Sequence, residues 1–293
     1  MTEFKPAATE ETTGQPAWTL EVRRPGPALR GIAGELAGYR ESAQAPVRRR
    51  ELPEAHIVMI FNLGDPLRVA QPGVGGEIVI PPGAGFLAGL HETYTLTETR
   101  GQQEGLEVRL SPTGAYRLFG TPMSELANRT LLLDDLASAW SRTLADQLLH
   151  TPDWETRLRL AEQALMEKPH CLKPDPQIVW AWRQLRRSCG RLPVSALVAE
   201  LGWSHSRLVS RFREQIGVTP KQGARLLRFQ QVVRRPTFAP GADWCAVAQA
   251  CGFYDQSHLI REVRAFAGDT PEGLARRRLT ASAGYDAGTA ALT

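Results

Sequence analysis

Hydrophobic and polar positions divide the chain into two textures. From about Val47 to Leu110, short apolar or alternating runs are broken by Gly/Pro turns. His56-Ile-Val-Met-Ile-Phe-Asn is an apolar run closed by Asn62-Leu-Gly-Asp-Pro. Glu77-Ile-Val-Ile lies between the turns Gln71-Pro-Gly-Val-Gly-Gly and Pro81-Pro-Gly-Ala-Gly. Tyr94-Thr-Leu-Thr-Glu-Thr and Gly105-Leu-Glu-Val-Arg-Leu alternate. A period of two predicts strands, and several short strands between such turns predict a small β-barrel or sandwich. Helical spacing begins after Ser111-Pro112. Asp134 or Asp135 is placed to cap a helix carrying Leu136, Trp140, Leu144 and Leu148. Thr151-Pro-Asp-Trp-Glu opens another, with Leu158, Leu160, Ala161 and Leu165 on its apolar side. These two helices either cover the β domain or pair with a second copy, and spacing does not decide. Lys168-Pro-His-Cys-Leu-Lys-Pro-Asp-Pro reads as a linker, with Asp175-Pro176 resembling an N-cap and an N1 proline. Ile178, Val179, Trp182 and Leu185 form the stripe of the next helix, and the chain beyond reads as helix.

Within that helical part a unit occurs twice. Ala196-Leu-Val-Ala-Glu-Leu-Gly-Trp, then Ser204-His-Ser-Arg-Leu-Val-Ser-Arg-Phe-Arg, ends in Gly217-Val-Thr-Pro. Ala246-Val-Ala-Gln-Ala-Cys-Gly-Phe, then Asp255-Gln-Ser-His-Leu-Ile-Arg-Glu-Val-Arg, ends in Gly268-Asp-Thr-Pro. A spacing of about 50 residues indicates a duplicated supersecondary unit. Each unit reads as helix, glycine, short turn and capped helix. Gly202 and Gly252 stand where the first helix must end in a left-handed residue. Ser204 and Asp255 are N-cap types. Leu208, Phe212 and Ile216 share one side of the second helix, as do Leu259, Val263 and Phe266. That is the helix-turn-helix plan, whose second helix enters the major groove.

Charge sharpens the picture. The 293 residues carry a net +4, but Leu172 to Thr280 alone carries +10 and the remainder −6. The basic part uses 16 Arg and two Lys, Lys173 and Lys221. Arg offers forked donors suited to phosphate oxygens and guanine edges, so double-stranded DNA is the expected partner. A helical repeat that only packs would not need this charge.

Leu172 to Arg278 resembles the DNA-binding domain of AraC/XylS-type transcription regulators. Gly252-Phe-x-Asp-x-Ser-His-Leu-x-Arg-x-Val-Arg followed by Gly268-x-Thr-Pro carries the resemblance most specifically. It implies seven helices, two helix-turn-helix units and one long connecting helix near Pro220 to Val233. It also implies that both recognition helices enter successive major-groove faces. Ser210 stands where the family places an arginine in unit one, and Gly223 where it prefers an aromatic, which predicts a looser corner. In unit two Arg261 occupies the family's arginine position. The expected groove contacts are Ser204, Ser206, Arg207 and Ser210 in unit one, with His205 and Arg211 nearer the backbone. In unit two they are Gln256, Ser257, His258 and Arg261. Arg213, Lys221, Arg225 and Arg264 are expected at phosphates. Trp180, Trp182 and Trp203 are assigned to the core.

The N-terminal half resembles the regulatory region of some AraC-type proteins through Phe61-Asn-Leu-Gly-Asp-Pro-Leu and its strand-rich pattern, which implies a barrel-like sensor. His56, Asn62, His91, Tyr94, Arg109 and Tyr116 are polar groups in or near apolar strands and are candidates to line a pocket for a small-molecule effector. No cofactor is expected. His91-Glu92 lacks a second His two residues away, and none of Cys171, Cys189, Cys245 and Cys251 forms a CxxC pair, so no metal is expected. No Gly-x-Ser-x-Gly elbow or phosphate-loop spacing supports an enzyme. The N-terminus lacks a signal-peptide pattern and no apolar run suits a membrane span, so the chain is expected in the cytoplasm.

The expected class is therefore α+β: a small N-terminal barrel or sandwich with flanking helices, then an all-α domain with two helix-turn-helix units. The expected boundaries are a disordered 1–17, a regulatory domain at 18–168, a linker at 169–174, the DNA-binding domain at 175–279 and a flexible tail at 280–293. The function expected is a DNA-binding regulator with a small-molecule sensor. Alternatives are an N-terminal domain that only dimerises and, more remotely, an enzyme fused to a DNA-binding domain. A second copy of the chain and RNA polymerase are further candidate partners.

Overall fold

The computed structural model describes residues 17–72, 76–235 and 237–280. Apart from their inner ends, the expected disordered N-terminus and flexible tail lie outside the described residues, as do residues 73–75 of one predicted turn. The strands are β1 (Ala17–Arg23), β2 (Ala33–Ser42), β3 (Val47–Glu51), β4 (Ile57–Asn62), β5 (Leu67–Ala70), β6 (Glu77–Ile80), β7 (Ala84–Ala88), β8 (Thr95–Thr99), β9 (Gln102–Leu110) and β10 (Thr130–Leu132). They form a six-stranded sheet in the order β1-β2-β9-β4-β7-β10 and a four-stranded sheet in the order β3-β8-β5-β6. Every pairing is antiparallel, so the N-terminal part is a β-sandwich.

Alternation along the central strands gives the large sheet two different faces. Leu106, Val108 and Leu110 of β9, with Ile57, Met59 and Phe61 of β4, are fully buried on one face. Helices α1 (Pro112–Phe119), α2 (Met123–Leu126), α3 (Asp134–His150) and α4 (Trp154–Glu167) follow the strands. Leu144, Leu148, Leu158 and Leu165 of α3 and α4 complete the same core, and Trp140 meets Phe61 edge-on at 6.2 Å. These helices thus cover the sheet within the same chain. Ser111 caps α1 and Asp153 caps α4 through their side chains. Neither aspartate of the 134–135 pair caps α3. Leu133 holds the cap position, and Ala137 breaks the helix at φ −158°, ψ 57°. Asp134 bridges that break by accepting from Ser141 Oγ and Arg142 Nε.

The C-terminal part is all helix: α5 (Pro176–Arg187), α6 (Val194–Leu201), α7 (His205–Ile216), α8 (Pro220–Val233), α9 (Trp244–Ala250), α10 (Gln256–Ala267) and α11 (Pro271–Thr280). Among the described residues this is the expected set of seven, with α8 as the long connector. Leu208, Phe212 and Ile216, and their counterparts Leu259, Val263 and Phe266, are all buried. The corner at Gly223 is not loose. Trp182 lies edge-on to Phe212 at 6.0 Å and reaches to 3.1 Å from where a Gly223 side chain would begin, so its ring fills the space. Asp175 holds the N-cap position of α5 as expected but makes no side-chain cap; its carboxylate accepts from Arg211 and Gln215 instead.

Candidate functional site

Each helix-turn-helix unit is built by the residues that defined the repeat. Gly202 (φ 62°) and Gly252 (φ 77°) take left-handed conformations at the turn. Ser204 accepts from the Arg207 amide and Asp255 from the His258 amide, fixing the starts of α7 and α10. Away from the core, Ser204, His205, Ser206, Arg207, Ser210 and Arg213 of unit one are exposed, as are Ser257, Arg261 and Arg264 of unit two and Lys221 at the start of α8. Gln256 and His258 are half-buried: Gln256 accepts from Cys245 Sγ, and His258 lies edge-on to Phe253. Arg207 stacks on Trp203 at 4.3 Å, which holds its guanidinium near the helix start.

Two arginines expected at the DNA backbone are engaged elsewhere. Arg211 pairs with Asp175 at 2.8 Å and with Glu214, and these carboxylates raise its pKa. Arg225 pairs with Glu262 at 2.8 Å and lies 3.7 Å from Glu92. Both tie elements of the protein together. Tyr254, not singled out from the sequence, is 91% exposed immediately before the Asp255 cap. Its signal was a second aromatic in the turn of unit two, after Phe253 and beside the Asp255 cap.

The N-terminal part touches both recognition helices at their C-terminal ends. Gly217 and Gly268 end α7 and α10 with positive φ. A side chain on Gly217 would meet the Met123 carbonyl at 2.9 Å, and one on Gly268 the Tyr94 ring at 2.3 Å. Tyr116 donates to Glu214 of α7 (2.9 Å), and burial, with this bond, raises its pKa to about 12. Arg50 of β3 donates to the Ala267 carbonyl (2.8 Å) and covers the Tyr94 ring at 4.3 Å. Connector α8 is held by Glu92, which accepts from Gln222 (2.7 Å), and by Glu54, which accepts from Arg234 (3.0 Å).

A cavity of about 190 Å³ lies between the two sheets. Its apolar wall includes Trp18, Val58, Ile60, Val69 and Phe86, and its polar wall includes Glu41, Arg49, Glu51, Glu54, Glu107 and Arg109. Three of the six pocket candidates, His56, His91 and Arg109, line it. The other three do not. Asn62 is buried in the β4–β5 turn, donating to the Asp65 and Ile80 carbonyls. Tyr94 and Tyr116 stand against the helix-turn-helix part, as described above. Burial dominates the titration of the cavity wall. It raises Glu51 and Glu54, and lifts Glu107 to about 7 against the pull of Arg109. It keeps His56 well below its ordinary value, and lowers His91 to about 4. Among the described residues no group of His, Cys, Asp and Glu is arranged to hold a metal ion, and no helix is long and apolar enough to cross a membrane.

Residues 24–132 match the family model described as a domain of unknown function (DUF6597). No curated protein matches the sequence. Among solved structures, ToxT from Vibrio cholerae O395 is similar at 13% identity and a TM-score of 0.47, over 88% of this chain and 97% of that one. The AraC-like transcriptional activator CuxR is similar at 15% identity and a TM-score of 0.30, over 72% and 86%. A cupin domain from Bordetella pertussis Tohama I reaches 8% identity and a TM-score of 0.23, over 35% and 99%. Likenesses this slight assign neither a ligand nor an activity. The match that bears on the repeat is to the family described as a helix-turn-helix domain, over residues 197–277. Residues 197–277 match that model, which spans both units, so the C-terminal part of the chain carries a helix-turn-helix domain.

Proposed function

We propose that the chain is a sequence-specific DNA-binding transcription regulator whose N-terminal sandwich senses a small molecule. One observation carries the reading. The start of each recognition helix is exposed, while the end of each is capped by a glycine pressed against the N-terminal part. The groove-reading surface is therefore open, and the regulatory part holds the same two helices from behind.

Strand β3 supports the sensing step. Arg49 and Glu51 line the cavity, and Arg50 between them reaches Ala267 of α10. Successive side chains of a strand point to opposite faces, so one short strand serves the cavity and the DNA-binding part together. A molecule that binds one arrangement of this wall more tightly shifts the balance between arrangements. Arg261 is the residue proposed to read a base, with Arg207, Ser206, Ser257 and Gln256 beside it. Arg213, Lys221 and Arg264 are proposed at phosphates.

The test is selective binding of genomic fragments by the full chain at two salt concentrations, for wild type and Arg261→Ala. The reading expects selective binding that weakens with salt and loses discrimination in the variant. Unselective binding by wild type at both salts, with and without cell metabolites, would overturn it. A concentration-dependent dimer with no response to any small molecule would favour the dimerisation alternative.

A further inference from the structure

The cavity wall is unbalanced in charge. Arg49 is engaged by Glu41 and by Gln103 Oε1 (2.8 Å), and Arg109 by Glu107 (3.0 Å). Glu54 is met by Arg234 from outside the cavity and by His56 Nδ1 of the cavity wall, each at 3.0 Å. Glu51 has no arginine of its own and accepts from the Thr97 hydroxyl (3.0 Å). Four carboxylates thus face two cavity arginines, and both arginines already have partners. Among the described residues no lysine lines the cavity.

His91 points the same way independently. It lines the cavity and is 7% exposed; the Arg129 backbone faces one ring nitrogen, and the other has no partner in the structure. A buried polar group without a partner costs free energy that a ligand can recover. Burial holds this imidazole neutral, so one of its nitrogens is an acceptor waiting for a donor. The lining also includes aromatic and branched side chains, Trp18, Ile60 and Phe86 among them.

Resting on the sensing reading above, we propose that the cavity takes a compact apolar molecule bearing a protonated nitrogen, an alkyl- or arylalkylamine. The ammonium group sits against Glu51 and the hydrocarbon against the aromatic wall. An anionic amphiphile meets a surplus of carboxylate and no unengaged cation. The size admits roughly a dozen heavy atoms.

Three probes of one shape separate the outcomes: 4-phenylbutylamine, 4-phenylbutanol and 4-phenylbutyrate, titrated calorimetrically into the full chain. The amine is expected to bind at least tenfold more tightly than either other probe. Glu51→Gln, and separately Glu107→Gln, should each reduce that preference, with a cooperative melt showing that each variant folds. Equal or tighter binding of the alcohol or carboxylate overturns the ligand class and leaves sensing intact. No binding of any probe at millimolar concentration overturns the ligand class. Amine binding that leaves affinity for a selected DNA fragment unchanged supports the class and overturns the sensing reading.

Discussion

Glu54 and Arg234 join the cavity to the connector between the two helix-turn-helix units. Glu54 lines the cavity, and its Oε2 lies 3.0 Å from Arg234 Nη2 at the end of α8. A buried carboxylate that loses its cation is left with an uncompensated charge. Arg234→Ala should therefore destabilise the chain by about 1–3 kcal/mol and weaken the coupling between cavity and DNA. Glu54→Gln removes the charge and keeps the shape. It should cost less stability and still reduce the effect of cavity occupancy on DNA affinity, measured by fluorescence anisotropy with and without ligand.

The arginines of α7 should behave differently from one another. Arg213 is exposed, so Arg213→Ala should lower DNA affinity evenly across sequences and reduce the salt slope by about 1. Arg211 is held by Asp175 and Glu214. Arg211→Ala should leave the salt slope unchanged and lower the melting temperature, because it unties α5 from α7.

Arg261→Ala should cost about 1–3 kcal/mol on the preferred DNA fragment and little on unrelated DNA. A binding-site selection with the variant should show relaxed preference at one base-pair position.

Gly268 tests the contact behind unit two. Its φ of 65° suits glycine, and a side chain there would meet Tyr94. Gly268→Ala should destabilise the chain by about 1–2 kcal/mol through backbone strain, and more with Tyr94 present. In the Tyr94→Ala background the same substitution should cost less. A double-mutant cycle by urea unfolding measures the difference.

Glu107 predicts a pH dependence. Its pKa is raised to about 7 in the fold, above the ordinary carboxylate value, so the folded chain binds a proton that the unfolded chain has released. Below about pH 4.5 both forms hold that proton and this group costs nothing. As pH rises to about 7 the fold loses up to about 3 kcal/mol from this group, since charging the buried carboxyl is unfavourable. Glu107→Gln should therefore show a smaller loss of stability than wild type between pH 5 and pH 8.

Legibility differed between the two halves for a physical reason. The helix-turn-helix units were readable because their determinants are local. A cap such as Asp255, a glycine such as Gly252 and a stripe such as Leu259, Val263 and Phe266 lie within one turn-and-helix segment. The sandwich was partly readable. Strands β4, β8 and β9 followed their apolar runs or alternation. Strand β2 was not read, because Leu36 and Gly38 sit among small and charged residues and are buried only once α4 and β9 are in place. Tyr94 and Tyr116 looked like pocket residues because composition cannot tell a cavity from an interdomain contact.

Strand β9 marks where the sequence's authority ends. Its alternation alone determined that Leu106, Val108 and Leu110 share one face and Glu107 and Arg109 the other. In a sheet with one solvated face, that second face would meet water. Here the four-stranded sheet closes over it, so Glu107 and Arg109 line an interior cavity. The sequence by itself determined the duplicated unit, its caps and its charge, because these depend on neighbours within a few residues. The tertiary structure alone decided which polar face became a cavity and which glycines became contacts with the N-terminal part. Those outcomes depend on residues far apart in the chain meeting in space.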